Sequence, residues 1–155
     1  MSIEISVYIR PDKMVTPKQW KDAIVELGYD MQLDDDIDIK GFSGFLPVIH
    51  KGNSSGFEYY YDELDQEDIR KMELPSDFNI AITLRTGSDF EELACSSVAV
   101  AALCHATEGI IYEPEEAIYI NHNECIEWAA GEYQAALKEL AEPPPPLKKP
   151  WWKFW

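Results

Sequence analysis

Apolar and polar residues alternate strictly near the start of the chain, in IEISVYIR at residues 3–10. A two-residue period places the apolar side chains on one face and the polar ones on the other. The segment is therefore predicted to be a half-buried β-strand.

The next segment, TPKQWKDAIVELG, changes to the period of a helix. Thr16 is a good N-cap, Pro17 suits the first helical position, and Gln19 stands where a capping box needs it. Gly28 suits the residue after the last turn. These signals predict an amphipathic helix between Pro17 and Gly28.

Short stretches in which apolar and polar residues alternate follow. Residues 31–33 and 37–39 predict two short strands around an acidic turn, and GFLPVIHKGNSSGFEYYYDEL predicts a hairpin around KGNSSG. Pro47 predicts that the first hairpin strand lies at an edge or a bulge. FNIAITLRT predicts a further strand.

The segment GSDFEELACSSVAVAALCHATEG predicts the principal helix. Ser88 and Glu91 have capping-box spacing, and Gly109 is the expected stop. Because the helix is apolar on nearly every side, we expect it to pack between a sheet and other helices. A strand at IIYEP, a second possible strand and a final helix complete the pattern.

This order of elements predicts an α+β fold. One mostly antiparallel sheet would be packed by two to three helices, which lie largely on one face. We expect residues 1–142 to form a single domain and residues 143–155 to form a tail, rich first in proline and then in lysine and tryptophan.

Charge narrows the classes of partner. The chain has 13 Lys+Arg and 29 Asp+Glu, a net charge of −16, and three of the lysines lie after residue 142. Residues 1–142 thus have 10 basic and 29 acidic residues, a net charge of −19. Such a field repels nucleic acid and anionic membranes and attracts a basic protein, although it also serves solubility.

Cysteine and histidine do not form a recognisable reactive pattern. Cys104 and His105 are adjacent, so on a helix they point about 100° apart and cannot form a dyad. His122 and Cys125 have a spacing that allows shared metal ligation, but no further pair accompanies them. We expect no catalytic residue, no cofactor and no bound metal.

The three cysteines and the N-terminal residues suggest a compartment. The cysteine number is odd, and MSIEISVYIRP lacks the basic start and apolar block of an export signal. The sequence therefore predicts a reducing, cytoplasmic environment.

Acidic residues cluster with tyrosines in the first half of the chain. Tyrosine and carboxylate side chains together suit the binding of a cationic protein surface. The candidate partner-binding residues are Asp34, Asp35, Asp36, Asp38, Glu58, Tyr60, Asp62, Glu63 and Asp65.

The tail PPPPLKKPWWKFW has several interpretations. Its aromatic residues could fold back onto the domain or dock into another chain. Lysine beside tryptophan is also typical of segments that touch a membrane surface. The charge of the domain argues against the membrane interpretation.

Three stretches carry a resemblance: MSIEISVYIR, GFLPV followed by GFEYYYDE, and AALCHATEGIIYEPEE. Together they resemble small bacterial immunity proteins of polymorphic or contact-dependent toxin systems. The resemblance implies a cytoplasmic, non-enzymatic protein that neutralises a toxin by tight binding. The alternatives are a small cytoplasmic enzyme with a His/Cys or carboxylate site, and a phage-type inhibitor that mimics nucleic acid.

Overall fold

The computed structural model describes residues 2–141, so the predicted tail lies outside the described residues. The strands are β1 (Ile3–Ile9), β2 (Met31–Leu33), β3 (Gly44–His50), β4 (Asn53–Glu63), β5 (Ile80–Thr86), β6 (Ile110–Glu113) and β7 (Ile118–Asn121). The helices are α1 (Pro17–Glu26), α2 (Gln66–Lys71), α3 (Phe90–Thr107) and α4 (Cys125–Ala141), and a 3-10 turn spans Pro11–Lys13.

The strands form one antiparallel sheet in the order β2-β3-β4-β5-β1-β6-β7. A two-residue turn, Lys51–Gly52, joins β3 to β4, and both residues have positive φ, as a type I′ hairpin turn requires. The predicted α+β class with a mostly antiparallel sheet is confirmed. The hairpin is confirmed as well, although its turn is shorter than KGNSSG suggested.

One face of the sheet is covered by α1, α3 and α4. Helix α3 contacts β1, β4, β5 and β6, while α1 and α4 pack against α3. The small, apolar residues of α3 let it approach the sheet and both neighbouring helices closely, and most of its residues are buried. Trp20 of α1 ties the layer together, because its Nε1 donates to the carbonyl of Ala99 at 2.8 Å.

The helix ends agree only partly with the prediction. The capping box of Thr16 and Gln19 is confirmed. The N-cap of α3 is Asp89 rather than Ser88, because its carboxylate accepts the amides of Glu91 and Glu92. At the other end Glu108, not Gly109, takes the left-handed conformation, at φ 54°. Gly109 is required for packing instead, since a Cβ there would approach the Tyr8 carbonyl oxygen to 2.8 Å.

Two details of the strand prediction are wrong. Residues 37–39 form no strand; they belong to the connection between β2 and β3. Pro47 lies in a strand with neighbours on both sides, although β2 ends next to it. The Pro47 carbonyl accepts the amide of Asp34 at 3.1 Å. The proline nitrogen faces the same side, at the end of β2, so its missing N–H removes no hydrogen bond between β3 and β4.

The opposite face of the sheet is covered only in part. The segment around α2 packs a small cluster of Tyr8, Phe78 and Ala81 against β1 and β5. Tyr119 of β7 is held over the same region, as its hydroxyl donates to the Met72 carbonyl at 2.7 Å. In the part of the chain that the structure describes, no helix lies over the section of this face formed by β3 and the beginning of β4, and we call that section the open face.

Candidate functional site

Three consecutive outward positions of β3 form an exposed apolar strip on the open face. Phe45 is 55% exposed and Ile49 is 44% exposed, and Pro47 between them is exposed too. The alternating residues Leu46, Val48 and His50 are buried on the helix-covered face. We call Phe45, Pro47 and Ile49 the β3 strip.

Local backbone chemistry positions the first member of the strip. The aromatic ring of Phe45 lies over Gly56 of β4, which has no side chain and so leaves room for the ring. A Cβ at Gly56 would come within 2.6 Å of the Leu46 carbonyl oxygen. Glycine at this position therefore lets the Phe45 ring lie along the sheet while most of the ring remains in solvent.

Acidic residues lie on one side of the strip. A hollow of about 330 Å³ beside β2 is lined by Asp34 and Asp35 together with Pro47 and Ile49. Asp34 turns the chain here, since its carboxylate accepts the Asp36 amide at 3.0 Å. Asp35 is 3.9 Å from the ammonium group of Lys21, so it is only loosely paired.

The other side of the strip is also polar and acidic. Glu58 of β4 is the cross-strand neighbour of Phe45 and of Arg85. Its carboxylate accepts the Tyr60 hydroxyl at 3.2 Å and lies 3.7 Å from the Arg85 guanidinium group. Asp62, two residues after Tyr60 in β4, lies on the same face. The strip thus lies between two acidic borders, an arrangement typical of an apolar interface core with a polar rim.

The remaining predicted residues lie elsewhere. Asp36 and Asp38 are exposed in the connection from β2 to β3, and the Asp38 carboxylate accepts the Lys40 amide at 3.3 Å. Glu63 ends β4 and points to the face opposite Asp62. Asp65 is the N-cap of α2, where its carboxylate accepts the Asp68 amide at 2.8 Å. Asp65 therefore has a structural role.

The apolar members of this surface do not stand out in the sequence. GFLPVIH was recognised as a strand, yet its outward positions are apolar as well as its inward ones. A strand that is apolar on both faces normally lies between two covering layers. Because the described residues cover only one face of β3, the apolar residues on its other face remain in solvent as the β3 strip.

A second polar constellation is buried between β3, α3 and α4. His50 is 2% exposed, its Nε2 is 2.8 Å from the Tyr133 hydroxyl, and its Nδ1 is 3.4 Å from the Glu91 carboxylate. Burial, followed by the neighbouring Cys95, Tyr29, Asp30 and Glu91, raises the pKa of Tyr133. The cluster closes off the His50 ring, so a solute reaches it only if Tyr133 or Glu91 moves.

The cysteines are part of the core. Cys95, Cys104 and Cys125 are free and fully buried, whereas His105 points into solvent. Burial raises the pKa of Cys95 to about 12. A hydrogen bond with Cys125, together with burial, raises the pKa of Cys104. Cys95 and Cys104 therefore remain protonated at neutral pH and lack the thiolate that nucleophilic catalysis needs. The same hydrogen bond lowers the pKa of Cys125, which is buried at the start of α4.

Residues 2–141 contain neither a metal-binding cluster nor a membrane-spanning helix. Within that range no three His, Cys, Asp or Glu side chains are grouped so as to hold a metal ion. None of the described helices is both long enough and apolar enough to cross a bilayer.

Comparisons with known proteins do not assign the chain to a family. No family model, no curated protein and no solved structure matches it. The function is therefore inferred from the geometry and charge of the chain itself.

Proposed function

We propose that this protein is an inhibitor that binds a basic protein partner, as an immunity protein binds its toxin. The observation that supports the proposal best is the β3 strip: an apolar surface on an uncovered sheet face, bordered by Asp34 and Asp35 on one side and Glu58 on the other. The resemblance of the sequence to toxin-neutralising immunity proteins agrees with it.

Apolar and acidic residues have different roles in this mechanism. Burial of Phe45 and Ile49 under a partner supplies affinity, because both side chains now expose large apolar areas to water. The charge of −19 over residues 1–142 accelerates encounter with a basic surface. Enzymes that act on nucleic acid are basic around their substrate site, so an acidic inhibitor can cover that site and exclude the substrate.

The apolar centre also separates this proposal from mimicry of nucleic acid. A mimic needs carboxylates spaced along a track that follows a duplex, whereas the β3 strip places three apolar side chains in the middle of the surface. This composition favours an interface with a folded protein.

The direct test is retention of a partner by the immobilised full-length protein from an extract of its native host, at low and moderate salt. We expect one basic protein to be retained in a salt-sensitive, stoichiometric complex. With that protein purified, Phe45→Ser with Ile49→Ser should weaken affinity by about 30-fold or more, mainly through faster dissociation. Asp34→Lys with Asp35→Lys should instead slow association by about tenfold.

A matched control uses another exposed apolar residue. Val25 on α1 is 54% exposed and lies in the helical layer, away from the open face. Val25→Ser should bind the partner as tightly as the unmodified protein does. If the β3 strip variants bind normally, or if the retained protein is acidic, the proposal is wrong.

The second candidate function is a small enzyme, favoured by the His50, Glu91 and Tyr133 contacts. An imidazole between a carboxylate and a phenol is a possible acid–base group. A working group must be reachable from solvent, so acylation of native protein by diethyl pyrocarbonate, mapped by mass spectrometry, tests it. We expect the exposed His105 to react and His50 to remain unmodified; rapid modification of His50 would favour the enzyme.

A further inference from the structure

A groove runs between the edge strand β7 and the first turns of α4. It has a volume of about 420 Å³ and an apolar floor formed by Ile118, Ile120 and Trp128. Ile118 is 37% exposed and Tyr119 at its border is 46% exposed. The groove lies at the far end of the sheet from β3 and is therefore separate from the proposed partner surface.

The groove has an acidic border. Glu124 and Glu127 line it directly. Glu132 lies one turn further along α4, where burial, followed by the charges of glutamates in the β6–β7 turn, raises its pKa. Among residues 2–141, no lysine or arginine forms an ion pair with these three carboxylates. A cationic and apolar occupant would neutralise this border and cover the floor.

The backbone of β7 offers a further binding element. Within the described sheet, β7 pairs with β6 on one side only, so its outer edge has free amide and carbonyl groups. An extended segment can add to such an edge as a further strand, with its side chains placed alternately on the two faces. The groove therefore fits an extended segment better than it fits a helix.

The chain itself contains a segment with the required composition. Residues 147–155 read LKKPWWKFW, with three lysines, three tryptophans, one phenylalanine and no acidic residue. Aromatic side chains match the apolar floor, and lysines match the glutamates of the border.

The length of chain outside the described residues is sufficient. Helix α4 ends at Ala141, and Glu127 is 14 residues earlier, which corresponds to about 20 Å along the helix axis. Fourteen residues, 142–155, follow Ala141. At about 3.1 Å per residue, the seven residues from Ala141 to Lys148 span roughly 22 Å, which matches the distance back to Glu127.

We propose that residues 147–155 of this chain bind in the groove between β7 and α4 of the same molecule. The lysines contact Glu124 and Glu127, and the aromatic side chains cover Ile118 and Trp128. The inference is independent of the proposed inhibitor function, because it concerns a different end of the sheet.

Zero-length carbodiimide cross-linking of the full-length protein tests the contact directly. The reagent joins a lysine amine to a carboxylate only where the two touch. We expect Lys148, Lys149 or Lys153 to be joined to Glu124 or Glu127, within one chain, in an equal mixture of ¹⁴N- and ¹⁵N-labelled protein. If about half of the cross-linked peptide pairs carry mixed labels, as random pairing of two chains gives, the occupant is a second copy and the proposal is wrong. If none forms, it is also wrong.

Reversing the charges on both sides of the proposed contact, with ¹⁹F NMR detection of the tail tryptophans, gives a second, independent test. With 5-fluorotryptophan in the full-length protein, the ¹⁹F signals of Trp151, Trp152 and Trp155 should differ from those of a free peptide of residues 143–155. Glu124→Lys with Glu127→Lys should move these signals to the peptide positions. Adding Lys148→Glu, Lys149→Glu and Lys153→Glu to that variant should restore the original positions.

The matched control changes the same amount of charge at two other exposed glutamates. Glu26→Lys with Glu139→Lys alters α1 and the last turn of α4 but leaves the groove intact. We expect its tail signals to stay at their original positions. If the control shifts the signals as far as the groove variant does, net charge rather than the groove determines them, and the proposal is wrong.

Discussion

Two consecutive tyrosines in β4 show how different the two faces of this sheet are. Tyr59 is fully buried under the helices, packs against Trp20 and Phe42, and donates to the Ile39 carbonyl at 2.6 Å. Tyr60 points to the open face and donates to Glu58. Tyrosine therefore stabilises the fold at position 59 and forms part of the exposed surface at position 60.

The difference shows that this sheet separates stability from recognition. Side chains on the helix-covered face are confined by α1 and α3, so changes there should alter the free energy of unfolding. Side chains of the β3 strip have solvent on one side, so changes there should alter binding instead.

Trp20→Ala should have the largest effect on stability. Trp20 is fully buried and bonded to the Ala99 carbonyl. Its removal leaves a cavity and deletes this hydrogen bond, so we expect the free energy of unfolding to fall by about 3–5 kcal/mol in urea titrations. Phe45→Ala on the open face should cost less than about 1 kcal/mol. Equal losses at the two positions would contradict the separation of the faces.

Alkaline pH should destabilise the protein through its buried tyrosines. Burial raises the pKa of Tyr8, Tyr59 and Tyr133 above the ordinary value of 10.0. The native state therefore holds these protons more tightly than the unfolded state does. This part of the stability is fully present below pH 10 and is lost as the pH rises through the folded-state values.

Urea titrations at pH 8 and pH 11 would measure this loss. The Tyr59→Phe variant should lose less stability between the two pH values than the unmodified protein does, because one of the buried phenols is gone. An identical loss in the two proteins would show that Tyr59 does not contribute to the alkaline transition.

Tyr59→Phe should have a smaller effect on stability at neutral pH than Trp20→Ala. The substitution keeps the ring in place and removes only the hydroxyl that bonds to Ile39. We expect a loss of about 1–2 kcal/mol, because the buried carbonyl remains without a donor. Tyr60→Phe should leave the unfolding curve unchanged and reduce only partner binding. A larger loss of stability from Tyr60→Phe than from Tyr59→Phe would contradict the separation of stability and recognition between the two faces.

Several elements of the fold could be predicted because their signals are local. The alternation in β1 and the capping box of α1 involve residues that are close in sequence, and both were predicted before any contact was known. The apolar character of α3 likewise predicted its central, buried position. Residues 37–39 were misassigned because their alternation was compatible with a strand, although the segment is a turn beside Tyr59.

The site was predicted only in part. Asp34, Asp35, Glu58 and Tyr60 were selected for their acidity and aromatic neighbours, and they border the β3 strip. Asp65 was selected for the same reason but is a helix cap. Charge alone does not distinguish a capping carboxylate from one on an interface, because the difference lies in which amides the fold brings near.

The sequence by itself determined the kinds of elements, their order and the acidic charge, since periodicity, capping and composition depend on neighbouring residues. The tertiary structure alone places three helices on one face of the sheet and, among residues 2–141, leaves β3 bare on the other. It also brought His50 between Glu91 and Tyr133, which are 41 and 83 residues away. Such contacts depend on how distant elements pack together, and no local pattern encodes which face of a strand will remain in water.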